Sequence, residues 1–181
     1  MKRLNQSTLH ELFLHDIGGY AVNVEDNGKK PIRMYLSYPF NHEIRAYIFN
    51  CTAPPGGRSI DEWKVQLIID GQKRGERGRF DDSNGDTILI IGYACVLSDP
   101  AKGLWVLFEL DKHREFAYSA NIQIYTRQLV RALDDGLFIH RKHNKEIVVI
   151  STRERLPEAL QKRFDIDLEI ILEKANGTSE N

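Results

Sequence analysis

The chain has 181 residues, and 41% of them are hydrophobic, enough for one domain to bury a sizeable core without disulfide or metal staples. Its 25 basic and 26 acidic side chains leave a net charge of −1, which argues against a uniformly cationic polyanion binder. Any such surface must come from segregation of charge. Cys51 and Cys95 lie far apart with no metal-ligand spacing, and no apolar run approaches the ~20 residues that span a bilayer. No hydrophobic stretch follows the basic amino terminus, so a reducing, cytoplasmic setting is expected.

In chain order, Ser7-Thr8 ahead of Glu11 has capping-box spacing and predicts a helix near 8–16, ended by Gly18-Gly19. The polar run 25–30 reads as a turn. Strands are predicted near 31–38 and 44–51, separated by Pro39 and Asn41, and the Pro/Gly cluster at 54–57 breaks the chain. The next stretch alternates: Trp63, Val65, Leu67 and Ile69 fall on one face, Glu62, Lys64 and Gln66 on the other, predicting a half-buried strand over 63–70. A mobile, glycine-spaced loop follows, with Lys73, Arg74, Arg77 and Arg79 against Glu76.

The turn cluster 81–86 leads into a nearly continuous apolar run, 87–96, that reads as a strand buried on both faces. Residues 104–110 read the same way. Leu129, Val130 and Leu133 predict a helix near 126–135, with Thr126 as cap and Gly136 as stop. A hairpin is expected from 137–141 and 146–150 around His143-Asn144. Ser151 and Glu154 open a short helix to about 163, and the alternation Phe164, Ile166, Leu168, Ile170 predicts a last strand. These about seven short strands and short peripheral helices, without βαβ alternation, predict a β-rich α+β domain with a twisted, barrel-like open sheet. One domain over 1–175 and a flexible tail over 176–181 are expected.

Several constellations could carry chemistry. Glu62-Trp63-Lys64 has the E-x-K spacing of Mg²⁺-dependent nucleases, which need a second carboxylate; Glu43 and Asp26 are the candidates. The alternative is a surface ion pair. The glycines of 71–78 lack the G-K-[ST] ending and following helix of a phosphate loop, yet such a basic loop lets backbone and Arg groups approach nucleic acid. A solvent-exposed hairpin gives the same composition. A second basic stretch, 127–145, holds Arg127, Arg131, Arg141, Lys142 and Lys145 against Asp134 and Asp135. The six histidines have no metal spacing, nucleophile motifs are absent, and no cofactor is expected. Trp63, Phe80, Tyr93, Trp105, Phe116 and Tyr118 could stack a flipped base, although strand patterns favour core packing for Trp63, Tyr93 and Trp105. In 116–123, Ser119, Asn121 and Gln123 alternate onto one face, and Asn and Gln pair bidentately with adenine. A polar sheet edge would look alike.

The order R-S-x-D-E-[WY]-K-[IV]-Q-L (Arg58–Leu67), G-Q-K-R-G-x-R-G-x-F (Gly71–Phe80), an aromatic strand (Leu104–Leu110), F-A-Y-S-x-N-x-Q (Phe116–Gln123), a glycine-stopped helix and E-[IV]-V (Glu146–Val148) resembles the methylase-associated domains of bacterial restriction-modification loci. The resemblance implies a DNA-restriction neighbourhood more firmly than an activity. Such loci often carry a DNA-binding pseudobarrel like the effector domain of EcoRII-type restriction enzymes and the B-three domains of plant transcription factors. On this reading the chain is a sequence-specific double-stranded DNA-binding domain of a restriction-modification or defence system. Lys73, Arg74 and Arg77 would contact phosphates; Arg58, Lys64, Gln66, Arg79, Asn121 and Gln123 would read bases. A nuclease or methyltransferase subunit or domain is the expected partner. The alternatives are a nuclease using Glu62 and Lys64, a methylated-base reader, and a protein-interaction subunit.

Overall fold

The computed structural model describes residues 3–53, 59, 61–97 and 99–177. In chain order the elements are α1 (Gln6–Ile17), β1 (Ala21–Glu25), β2 (Ile32–Leu36), β3 (His42–Thr52), β4 (Glu62–Leu67), β5 (Arg77–Arg79) and β6 (Thr87–Ala94). There follow β7 (Leu104–Phe108), β8 (Glu115–Ala117), β9 (Ala120–Tyr125), α2 (Thr126–Asp135), β10 (Leu137–Arg141), β11 (Ile147–Thr152) and α3 (Leu156–Gly177). Among the described residues nine strands share one sheet, whose main path runs β1-β2-β3-β6-β7-β11-β10. Neighbours along it are antiparallel except β3 and β6, which run parallel from Ile44 opposite Thr87 to Cys51 opposite Ala94. The strand-rich α+β class therefore holds. The path ends at two edges, β1 and β10, and does not close into a barrel.

The two apolar runs behave as their composition demands, because the central strands are covered on both sides. Ile44, Ala46 and Ile48 of β3, Leu89 and Ile91 of β6 and Leu107 of β7 pack under α1 and α3. The alternate residues, among them Tyr47, Phe49, Ile90 and Val106, pack under a second layer on the opposite face. That layer is built from the β4–β9 ribbon, the small β5–β8 sheet and α2, which contribute Val65, Ile122, Phe116 and Leu129. The ribbon lies so close to β6 that a Cβ on Gly92 would stand 2.7 Å from Val65 Cγ2. Only glycine fits there without displacing the ribbon.

The turn 81–86 is held by a buried charge. Arg45 of β3 is fully buried and pairs with Asp81 and, at 2.5 Å, with Asp86. Its Nη1 also donates to the Asp81 carbonyl at 3.0 Å.

Three local expectations are corrected. The α1 cap is Asn5, whose Oδ1 accepts from the Thr8 N–H at 2.8 Å, so the helix begins at Gln6, two residues before the predicted start. At α2 the cap is Tyr125; Thr126 is already helical, and its hydroxyl accepts from Trp63 Nε1 at 3.0 Å. The predicted strand over 164–170 is helix: α3 continues to Gly177. Leu156, Ala159, Leu160 and Phe164 repeat at helical spacing and bury against the sheet. Phe164 and Leu168 lie on the same side of the helix, one turn apart; Phe164 is buried, whereas Leu168, Ile171 and Leu172 further along α3 are exposed.

Candidate nucleic-acid interface

β4 and β9 form an antiparallel ribbon over the second core, joined to the sheet through β4, where Val65 lies opposite Cys51 and Lys64 opposite Thr52 of β3. Trp63, Val65, Leu67, Ile122 and Ile124 point inward and are buried. The register places Lys64 opposite Gln123, Gln66 opposite Asn121, and Glu62 opposite Tyr125. Side chains alternate along a strand, so four of the sequence-predicted residues, Lys64, Gln66, Asn121 and Gln123, share one outward face. Gln66 donates to the Ser119 hydroxyl, and Gln123 Nε2 donates to Glu62 Oε1 at 2.9 Å. These bonds fix two amides in place while leaving each with unused donor or acceptor capacity.

The basic loop leaves the far end of this ribbon. It is not the mobile segment expected from composition but a pair of bonded turns. Gln72 Nε2 donates to the Glu76 carbonyl at 3.0 Å, and the Lys73 N–H donates to the Glu76 carboxylate at 2.9 Å. Beyond it, β5 pairs with β8, and a Cβ on Gly78 would collide with the Phe116 ring. Lys73, Arg74 and Arg77 are exposed and make no ion pair among the described residues. Arg79 differs: its guanidinium lies 3.5 Å from Asp82 and 3.3 Å from Glu115, an exposed cluster of small energetic worth. Arg58 lies outside the described residues.

Glu62 and Lys64 do share a face, as the E-x-K reading requires, but its second carboxylate is not supplied by Glu43. Lys64 stands opposite Thr52, while Glu43 lies at the other end of β3, about 30 Å away along the strand. Asp26 is engaged by His10 Nδ1 at 2.7 Å and by the Gly28 N–H at 2.8 Å. Among the described residues no group of three His, Cys, Asp or Glu side chains is placed to hold a metal ion.

The aromatic stacking pocket is not formed either. Trp63, Phe80, Tyr93, Trp105 and Phe116 are buried in the two cores. Phe80 sits between Tyr47 and Phe116, at 4.7 and 4.9 Å between ring centroids, and Trp105 Nε1 donates to Asp16 at 2.8 Å.

A feature that no single motif announced is a cleft of about 640 Å³ between β9 and the tip of the β10–β11 hairpin. Its cations, Arg127, Arg141 and Lys142, come from the second basic stretch, whose two ends the fold brings together. On one wall Glu146, which is 1% exposed, accepts from His113 Nε2 and from Lys142 Nζ, both at 2.8 Å. Burial by itself would raise the Glu146 carboxyl, but the His113 hydrogen bond and the Lys142 charge outweigh it and hold it below the ordinary value. His140 is pushed below the ordinary histidine value, first by burial and then by Lys142 and Arg127. At neutral pH its ring is uncharged, and Gln128 Nε2 donates toward its Nε2 at 3.4 Å.

The Methylase-associated X1 family model matches residues 42–160 of this sequence. The chain belongs to the Methylase-associated X1 family. It is a methylase-associated domain of restriction-modification systems, as its motifs implied. The family match contains the ribbon, the basic turns and the cleft, and runs from the start of β3 into the first turns of α3. The segment before it, α1 to β2, supplies part of the helix-side core of this Methylase-associated X1 protein. Comparison with the curated proteins and with the solved structures gives no match. No helix among the described residues is long and apolar enough to cross a membrane.

Proposed function

We propose that this Methylase-associated X1 domain is a sequence-specificity module that reads duplex DNA with the outward face of its β4–β9 ribbon. The observation that carries this reading is the register that pairs Lys64 with Gln123 and Gln66 with Asn121. A two-stranded ribbon fits the major groove of B-DNA, which is about 12 Å wide. Lysine there reads guanine O6 and N7, and Asn or Gln reads adenine N6 and N7. Glu62, held by Gln123, can accept from cytosine N4.

The cations flank the ribbon as phosphate contacts would. Lys73, Arg74 and Arg77 lie beyond its Leu67 end, and Arg127 lies beyond its Tyr125 end. Segregation of this kind lets a chain of net charge −1 bind a polyanion. Arg79, tied to Asp82 and Glu115, has a smaller part, and Arg58 precedes the ribbon as a further candidate reader. A methyltransferase or nuclease supplies the chemistry of the system.

Fluorescence anisotropy against a randomised duplex pool, methylated and unmethylated, with the bound fraction sequenced, tests this directly. The expected result is salt-dependent binding and an enriched motif. Absence of duplex binding at low salt would sink the proposal.

A further inference from the structure

Among the described residues β9 is paired on one side only, with β4. Its hydrogen-bond phase follows from the Thr126 N–H, which donates to the Asp61 carbonyl at 2.7 Å and continues the β4–β9 register. Residues directly opposite alternate between bonded and non-bonded pairs. Ile122 and Ile124 therefore exchange bonds with Val65 and Trp63, whereas the N–H and C=O groups of Asn121, Gln123 and Tyr125 point away from β4. One independent contact agrees. The Tyr125 N–H is taken on that far side by Gln128 Oε1, at 2.8 Å. The backbone groups of Asn121 and Gln123 have no such substitute among the described residues.

The cleft beside β9 is lined by every residue from Asn121 to Tyr125. Side chains alternate along a strand, so a cleft touching consecutive residues runs along the strand's edge rather than over one face. Its lining is cationic. Glu146 is its one carboxylate among the described residues and is already bonded to His113 and Lys142, while Arg127 and Arg141 make no ion pair there.

We propose that the open edge of β9 is a docking groove for an extended acidic peptide segment, which adds to the ribbon as a third strand. Strand addition supplies donors and acceptors at the repeat the edge presents. A phosphate backbone offers acceptors only and leaves the Asn121 and Gln123 carbonyls unmet. Five residues of edge, about 17 Å long, match a segment of similar length. Arg127 and Arg141 select acidic side chains along it. This surface uses the backbone of β9 and does not depend on DNA reading by the ribbon's side chains.

The test is amide hydrogen exchange by NMR on the full chain. The probe is acetyl-Glu-Val-Glu-Val-Glu-Val-Glu-amide, with a version carrying Lys for Glu and two versions N-methylated on alternate residues. In the free protein the Asn121 and Gln123 amides should exchange about 100-fold faster than those of Ile122 and Ile124. The acidic peptide should slow the first pair about tenfold, and the lysine peptide should not. N-methylation of one alternate set should abolish binding, and of the other set should leave it. Arg127→Glu with Arg141→Glu should weaken the acidic peptide about tenfold, whereas Lys64→Ala should not affect it. The proposal is overturned if the Asn121 and Gln123 amides are already protected in the free protein, or if millimolar acidic peptide leaves β9 unchanged. It also fails if both N-methylated versions bind alike, or if duplex DNA protects these amides and the peptide does not.

Discussion

Lys64 stands directly across the β4–β9 ribbon from Gln123, on the face turned away from the core. Neither residue is near the other in sequence. Their juxtaposition makes two separate alternating strings into one surface of cation and amides, and it ties the expected effects of substitution to positions.

On the proposed reading, Gln66→Ala should relax discrimination at one base pair by about 1–3 kcal/mol and leave binding to other sequences nearly unchanged. Arg74→Ala should weaken every duplex alike and reduce the slope of log affinity against log salt by about one. Anisotropy titrations at several salt concentrations separate the two. Equal behaviour of the two variants would show that the ribbon and the loop do not divide the work in this way.

Gly92→Ala should destabilise the protein by about 1–3 kcal/mol, because the new methyl meets Val65 Cγ2 and Cys51 Cβ at 2.7 and 3.2 Å. Urea denaturation measures the loss. Val65 is the inward neighbour of both Lys64 and Gln66, so the same substitution should impair binding by shifting the ribbon. The compensating Val65→Ala should restore part of the stability.

Asp86→Ala should cost about 3 kcal/mol, since Arg45 is fully buried and would keep only Asp81 as a charged partner. Asp81 is half exposed and is the less demanding partner to remove, so Asp81→Ala should cost less. The order of the two urea midpoints is the observable.

Acid should loosen the hairpin tip. The folded-state Glu146 carboxyl lies below its ordinary value of 4.5, so its stabilising effect is present above that value. It is lost as pH falls through the lower, folded-state value. Glu146→Gln should therefore lower stability at neutral pH and flatten the acid limb of the stability profile. Urea midpoints between pH 3 and 7 test this, and an unchanged acid limb would assign it to other carboxylates.

Much of the local structure was legible because burial imposes a period. Alternation at 62–67 reports a strand covered on one face, and the unbroken apolar runs beginning at Thr87 and Leu104 report strands covered on two. The hairpin of β10 and β11 and the helix α2 were readable from turn residues and helical spacing. The same logic misled at 164–170, where two periods fit a short string and packing of Phe164 against the sheet selected the helix. β1, β5 and β8 carried little signal, for β1 is largely exposed and the other two are three residues each.

The sequence by itself determined which side chains of β4 and β9 face outward, that Lys73, Arg74 and Arg77 share a glycine-punctuated basic segment, and that the chain resembles methylase-associated domains. Those properties are local: a side chain's face depends on its own strand's period. The tertiary structure decided that Lys64 meets Gln123, that Arg127 and Arg141 share a cleft, that Glu43 lies far from Glu62, and that β9 keeps one open edge among the described residues. Each depends on which strands pair and in what register, and that is settled by burying two cores at once on opposite faces of one sheet.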